Sequence, residues 1–540
     1  MTFTRGRLIA LRITFLLSRP TSSQTHEQMK LRMPPKCTVP RSCAFFLAQG
    51  RETKKPNRRP SDFSIFHLSL LCCLLFLIHS APVPCAAQAV SPASAAAQST
   101  NQSSSQPTSQ AYTLSPDKLV KATALGRIRN ILGIVAALWD LAFLWLLLAT
   151  RTAAGLEAFA QRLSNRRWLQ GVIFFAAFLI ILTLADLPLD IYAHHVSLSY
   201  AISVEPWLPW LIDMSKSFGL TLVLGVPVLL LFNWIVRRWP RRYWLVCWAF
   251  AIPLIVLSTF LEPLAEPIFN QYEPLAKNHA ALVAALEKVV ARTGTNIPPG
   301  RMYLMKASEK SNGINAYVSG IGATKRIVVW DTTADRIPND EIMMVFAHES
   351  GHYVLDHIPK GIAISAVVFF FVFWLCAQVA AWLVRRRGES WGIAKADSLV
   401  QEEMPRAPFL RGFVRKGGRE RSSHPQSFNP LSTRTGFVAL LFVASIANFL
   451  LQPAGNAVSR HFEHQADVYG QEATHGLVPD PQKTAVAGFN DLGKAWLDDP
   501  NPNPYIEFWL ASHPSMQSRA TFAAHYNPWP NSGHGEFFDK

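Results

Sequence analysis

Charge is scarce in this 540-residue chain, and acidic charge is the scarcest. Only 16% of the residues are charged, with 36 Asp and Glu against 52 Lys and Arg. A soluble domain usually carries about 25%, so an ordinary soluble fold is excluded. Cysteine is sparse as well. The seven cysteines (Cys37, Cys43, Cys72, Cys73, Cys85, Cys247 and Cys376) form no CxxC pair, and none lies between positions 261 and 361. That rules out a thiolate metal site in this stretch and implies no disulfide framework. Also missing is the interleaving of aromatic and basic residues expected of an RNA-binding motif. The net charge of +16 therefore does not make nucleic acid a partner; the basic residues sit beside apolar segments, where they act as topology signals and contacts for anionic lipid.

Apolar sequence is abundant, at 49% of the chain. It gathers in six segments, at about 131–150, 168–187, 218–236, 243–261, 362–384 and 436–451. Each is near the ~20 residues that a helix needs to cross a ~30 Å hydrocarbon core. The last is short and needs help from Pro453 and its flanks. The chain reads as a multi-pass membrane protein with the lipid bilayer as a partner.

Ahead of these spans, residues 1–60 are basic, 63–78 are apolar, and Ala81, Ala86, Ala87 and Ala89 follow. Positive flank, apolar run and small-residue exit make a secretory signal, either cleaved or retained as an anchor. Residues 81–112 are rich in Ala, Ser, Gln and Pro and lack charge. Such a stretch cannot bury enough surface to order itself, and a flexible tether is expected, reaching at most to residue 120.

The loops alternate in charge. Arg151, Arg162, Arg166 and Arg167 follow the first span; Asp186, Asp190, Glu205 and Asp213 accompany Lys216 after the second. Arg237, Arg238, Arg241 and Arg242 follow the third, and Arg385, Arg386 and Arg387, continuing to Arg411, Arg415, Lys416, Arg419 and Arg421, follow the fifth. Lys and Arg near span ends are retained in the cytoplasm. The first, third and fifth loops are therefore expected inside, and residues 262–361 and the C-terminal part outside, on the periplasmic or exterior face of a bacterial inner membrane. The expected layout is a signal region over 1–80, the tether over 81–120, four spans within 121–275, a soluble part over 276–361, two spans over 362–451, a second soluble part over 452–530, and a tail over 531–540.

Within the first soluble part the sequence predicts a helix over 280–292, strands over 301–305 and 326–330, and a helix from Asn339. Pro338-Asn339-Asp340-Glu341 offers that helix a capping residue and acidic charge at its positive end. It carries His348-Glu349-Ser350-Gly351-His352. Two histidines four apart project from one face, as two nitrogen ligands of a tetrahedral zinc require, and Glu349 is placed to deprotonate a water at the open position. Gly351 is read as leaving space beside the metal. Taken alone, HExxH also fits a helix with two packed histidines. A third ligand is needed, and beyond the last span Glu463 and Asp467 are again four apart. Glu463 would bind the metal, and Asp467 would orient a histidine through its distal N–H. His357, His461 and His464 are read as supporting or surface residues.

The order of motifs resembles the CAAX prenyl protease family of membrane zinc metallopeptidases, whose relatives include HtpX-like proteases. The resemblance rests on Leu187-Pro188-Leu189-Asp190, Trp210 to Ser217, Pro267-Ile268-Phe269-Asn270, Asn315-Ala316-Tyr317, Lys325 to Thr332, the His348–His352 motif with His357, Ser459-Arg460 with Glu463, Ala466-Asp467, and Ser512-His513-Pro514. It implies a mainly α fold: a polytopic membrane helix bundle with a zincin-like metalloprotease domain containing a small β-sheet. It further implies one Zn2+ on His348, His352 and Glu463, with Glu349 as general base. Asp467 matches a residue sometimes assigned as proton donor, Asn315 would hold substrate backbone on an edge strand, and His513 would stabilise the oxyanion.

The expected activity is zinc-dependent endoproteolysis of membrane-associated or unfolded polypeptides. CAAX-type prenyl endoproteolysis and a non-catalytic membrane scaffold are the alternatives. Two departures weigh against prenyl specificity: the expected exterior face, and Ser203-Val204-Glu205-Pro206-Trp207 in place of the family's acidic-Gly-Phe-Asn-type stretch.

Overall fold

The protein is described by a computed structural model covering residues 111–320, 322–393 and 429–539. The apolar run at 63–78, the tether up to residue 110 and the basic positions 411–421 lie outside the described residues. Each of the six apolar segments falls in a helix long enough to cross a bilayer. These are α1 (Pro116–Ala149), α3 (Arg167–Ser199), α4 (Trp207–Arg238) and α5 (Tyr243–Ala265), then α9 (His357–Arg387) and α10 (Arg434–Ala473), with a short α2 (Thr152–Leu163) after the first. Phe174, Phe175, Phe178, Ile235, Val438 and Ala439 pack between them as the buried centre of the bundle.

The last span does draw on Pro453 and its flanks. Helix α10 runs for 40 residues, straight through Pro453. A proline inside a membrane helix is tolerated where neighbours take up the freed backbone groups. The span and the stretch holding Glu463 and Asp467 are thus one rigid rod, which fixes those carboxylates relative to the bilayer.

At one end of the bundle the connecting segments meet. Arg151 Nε donates to Ser390 O at 2.9 Å, Glu157 accepts from the Arg434 and Thr435 backbone N–H groups, and Asn429 Nδ2 donates to Pro240 O at 3.1 Å. The arginine-rich loops after α1, α4 and α9 therefore share one face.

The opposite end carries the soluble parts. Strands β1 (Tyr272–Pro274), β2 (Met302–Met305), β3 (Ala316–Ser319) and β4 (Arg326–Trp330), with helix α6 (Ala280–Thr293) between β1 and β2, are followed by α7 (Asp331–Arg336) and α8 (Asn339–Val354). The sheet order is β1-β2-β4-β3; β2 and β4 are parallel, and both edge strands run antiparallel to their neighbours. The short edge strands β1 and β3 were not separable from loops by alternation. Helix α8 starts where expected, with Asp340 and Glu341 in its first turn, but no side chain caps it. Asn339 is already inside the helix, so the capping reading is corrected.

Two further expectations change. Tyr112, placed in the tether, is fully buried; its hydroxyl donates to Asp498 O at 2.9 Å and its N–H to Gln517 Oε1 at 3.1 Å. Helix α1 then begins at Pro116, so residues 111–120 belong to the folded body. The C-terminal stretch is also no loose tail. The N–H groups of Glu536, Phe537 and Phe538 donate to the buried Glu472 of α10, and Phe537 and Phe538 pack on Tyr469.

Helices α8 and α10 cross in close contact. A Cβ on Gly470 would lie 2.8 Å from His348 N, and one on Gly351 would lie 3.0 Å from Tyr469 Cδ1. Gly351 therefore serves this crossing rather than leaving room for a metal. Gly470→Ala should force the helices apart, at a cost of about 1–3 kcal/mol by analogy with overpacked cores. Gly455→Ala on the same helix meets nothing within 4 Å and should be close to neutral. Thermal unfolding of the two variants checks the contrast.

Candidate metal centre

The glycine crossing stacks one turn of α8 on one turn of α10, and four functional side chains meet there. His348 Nε2 and His352 Nε2 are 3.3 Å apart. Glu463 reaches both, with Oε2 3.4 Å from His348 Nε2 and Oε1 3.6 Å from His352 Nε2. Ligand atoms of the three residues all lie within 4.8 Å of one another. Two nitrogens bound at ~2.0–2.1 Å in tetrahedral geometry are separated by about 3.3 Å, so the spacing suits a tetrahedral ion. Glu463 Oε2 is buried and makes no hydrogen bond, as an oxygen reserved for a cation would be. The residues fit a metal.

The far side of each imidazole is held. His348 Nδ1 lies 2.8 Å from Asp467 Oδ1, so that nitrogen carries the proton and Nε2 keeps its lone pair for the ion. Asp467 is buried and gripped in turn by Arg519, whose Nε and Nη2 donate at 2.9 and 2.5 Å. His352 Nδ1 faces His357 Nδ1 at 3.0 Å, and His357 Nε2 faces Gln465 Oε1 at 3.1 Å. One proton arrangement satisfies this chain: His352 donates to His357, and His357 donates to Gln465. His357 also stacks on Phe462, with ring centroids 4.4 Å apart. His461 lies beside Phe462 and His464 against Phe522, away from the three converging ligand atoms.

A cavity of about 590 Å³ opens beside this cluster. Glu349 lines it, half-buried, and burial raises its carboxyl pKa. His513 also lines it, with Nε2 3.1 Å from Glu463 Oε1 and Nδ1 2.9 Å from Ser512 Oγ. Asn315 stands at the entry to edge strand β3, where its backbone is tied to Trp330 N and Thr333 Oγ1. The opposite wall is a stripe of α1, including Gly126, Asn130, Gly133, Ala137 and Asp140, at the period of one helical face.

Sequence reasoning missed Arg519 and Gln465, and left His357 open between a supporting and a surface residue. Arg519 sits in helix α13 (Met516–His525), reached through α11 (Pro481–Trp496) and α12 (Pro504–Leu510). The available signal was chemical: a carboxylate as buried as Asp467 needs a cation, and Arg519 shortly follows the Ser512-His513-Pro514 motif.

Comparison with known proteins decides the family. Residues 276–526 match the profile of Peptidase family M48, and residues 97–271 match "CAAX prenyl protease N-terminal, five membrane helices". The chain is 30% identical over 411 residues to the "Uncharacterized metalloprotease YhfN" of Bacillus subtilis, covering 76% of this chain and 86% of that protein. The chain belongs to peptidase family M48. This M48 peptidase is also 27% identical over 347 residues to CAAX prenyl protease 1 of Saccharomyces cerevisiae, covering 63% of the chain and 68% of the relative. Its fold matches the crystal structure of S. mikatae Ste24p with a TM-score of 0.59 at 23% identity, over 76% of this chain and 89% of that one. It is an integral-membrane metalloendopeptidase, and the scaffold alternative falls away.

Protons and cations compete at His348. Burial lowers its pKa, but the neighbouring carboxylates of Asp467 and Glu463 outweigh burial and lift it to about 9. Burial and the neighbouring His348 charge push His352 down to about 3, so His352 offers its lone pair at any working pH. Below pH 9 a bound ion must displace the His348 proton. The apparent metal affinity should therefore rise about tenfold per pH unit from 6 to 8 and level off near 9, as chelator competition across that range would register. A flat profile would mean that His348 does not carry the competing proton.

Proposed function

We propose that this M48 peptidase is a zinc-dependent endopeptidase that cleaves membrane-associated or unfolded polypeptides on the exterior face of a bacterial inner membrane. The observation that carries the zinc assignment is the donor set: two imidazole nitrogens 3.3 Å apart, closed by the unbonded carboxylate oxygen of Glu463. Two nitrogens and one oxygen in this arrangement suit zinc, with one position left open. Bound there, zinc supplies Lewis-acid chemistry and acidifies water.

The chain's own groups do the rest. Glu349, whose pKa is raised by burial, takes the proton from the attacking water and delivers it to the leaving amine. His513 donates to the oxyanion as it develops. Asn315 and edge strand β3 hold the substrate backbone as an added strand. Asp467, clamped by Arg519, is assigned to orienting His348 rather than to proton donation, because both of its oxygens are already engaged. The α1 stripe that walls the cavity comes from a membrane helix, which supports substrates presented at the membrane.

Glu349→Gln should keep stoichiometric zinc and an unchanged unfolding temperature while losing nearly all peptide turnover. Turnover near wild type would give the base role to another group. His513→Ala should lose on the order of 10²-fold in kcat. A prenyl-CAAX reading is favoured by the similarity to yeast CAAX prenyl protease 1 and opposed by the 203–207 stretch. Equal cleavage of a farnesylated peptide and its unmodified twin would support the broader reading.

The orientation rests on the arginine-rich loops, which meet on the bundle face opposite the metal cluster. Such loops are retained in the cytoplasm. A phosphatase that is active only after export, fused behind Lys540, should be active. Activity only from a reporter that needs the cytoplasm would place the site inside.

A further inference from the structure

Where the arginine-rich loops meet, they enclose a second cavity of about 320 Å³, within the range of small-molecule sites. Its walls are Arg241, Tyr243 and Trp244 at the α4–α5 turn, Gln378 and Arg385 of α9, and Asn429 just ahead of α10. Two contacts set the walls: Tyr243 OH donates to Ala377 O at 3.4 Å, and Asn429 Nδ2 donates to Pro240 O at 3.1 Å.

The arginines around it are not equivalent. Arg386 lies over the Trp382 ring at 4.7 Å, Arg238 over Trp239 at 5.5 Å, and Arg151 donates to the Ser390 and Glu389 carbonyls. Arg241 and Arg385 are exposed at the cavity and pair with no carboxylate or ring among the described residues. Two such guanidiniums, one from the α4–α5 turn and one from α9, line one hollow and call for an anion with several acceptor oxygens, and a phosphate fits.

A second observation says what the phosphate is attached to. The spans that flank the cavity, α5 and α9, are the least covered of the six: 11% of the apolar window of each is buried, against 28–39% for the others. Phe250 and Leu257 of α5, and Phe371, Trp374 and Leu375 of α9, are exposed along them. The ligand therefore meets charge at the mouth and hydrocarbon along the adjoining helices. We propose that this cavity binds the headgroup of an anionic phospholipid, whose acyl chains lie along the exposed sides of α5 and α9. The site is independent of the peptidase centre and of its orientation. It is separate from general attraction of basic loops to a charged leaflet, because it needs these two arginines and not others.

The test uses the purified full-length protein in neutral detergent, titrated with phosphatidylglycerol or phosphatidylcholine and read by native mass spectrometry. One phosphatidylglycerol should be retained in preference to phosphatidylcholine. Arg241→Gln and Arg385→Gln should each weaken retention roughly five-fold, and the double variant about 25-fold. Arg162→Gln with Arg166→Gln, exposed arginines in the last turn of α2 and just after it, should change it by about two-fold at most. Both are surface changes, and an unaltered unfolding midpoint verifies that each variant is folded. Equal retention of the two lipids, an equal loss in the Arg162/Arg166 variant, or displacement of the lipid by inorganic phosphate at matched concentration would each overturn the assignment.

Discussion

The close crossing of α8 and α10 is the constraint on which the rest of the site depends. Gly470 lets α10 touch the backbone of His348, and Gly351 admits the Tyr469 ring. Because both elements are helices, contact at one turn aligns the next. The i, i+4 pair His348 and His352 then faces the i, i+4 pair Glu463 and Asp467 without any loop being asked for precision. The crossing also explains the support behind it. Glu472 and Tyr469, further along α10, are held by the C-terminal stretch, so the carboxylate-bearing rod is fixed on the side away from the bilayer as well as within it.

Electrostatics finish what packing begins. A cluster of buried acids and histidines is unfavourable unless each charge has a partner. Asp467 has Arg519, and Arg519 in turn lies over the Phe489 ring with its charged carbon 4.5 Å from the centroid. Glu463 faces three imidazoles and lies 3.9 Å from Arg519 Nη2. One oxygen faces His352 and His513, and the other has no hydrogen bond. A divalent cation between Glu463 and the two imidazoles would meet that unbonded oxygen, and a metal would then complete the local structure as well as the chemistry. Removing Arg519 would leave Asp467 as an uncompensated buried charge, which makes Arg519 part of the same unit although it touches no reacting atom.

Much of this was legible in the sequence, for reasons that differ by residue. The six spans were visible because hydrocarbon demands long uninterrupted apolar runs. His348, Glu349 and His352 were visible because their geometry is local to one helix. Glu463 and Asp467 were visible by the same helical spacing, and the structure brings them to the histidines. Edge strand β3 was expected only through the family resemblance at Asn315, and β1 was not expected at all. The last span was expected to draw on Pro453 and its flanks, and α10 does run through them. Gly351 was misread because a glycine beside a motif says that space is needed, not what fills it; the Tyr469 ring does. Tyr112 was read as part of the tether because its partner, Asp498, is distant in sequence.

We propose that one helix crossing builds one metal site from two separated segments, with the ion bound by two imidazoles and one carboxylate. The most direct measurement is diffraction from crystals of the purified protein on both sides of the zinc absorption edge. The expected result is a single anomalous peak per chain, within bonding distance of His348 Nε2, His352 Nε2 and a Glu463 carboxylate oxygen. A peak bound by other residues, or none at that crossing in protein that retains peptidase activity, would contradict the account.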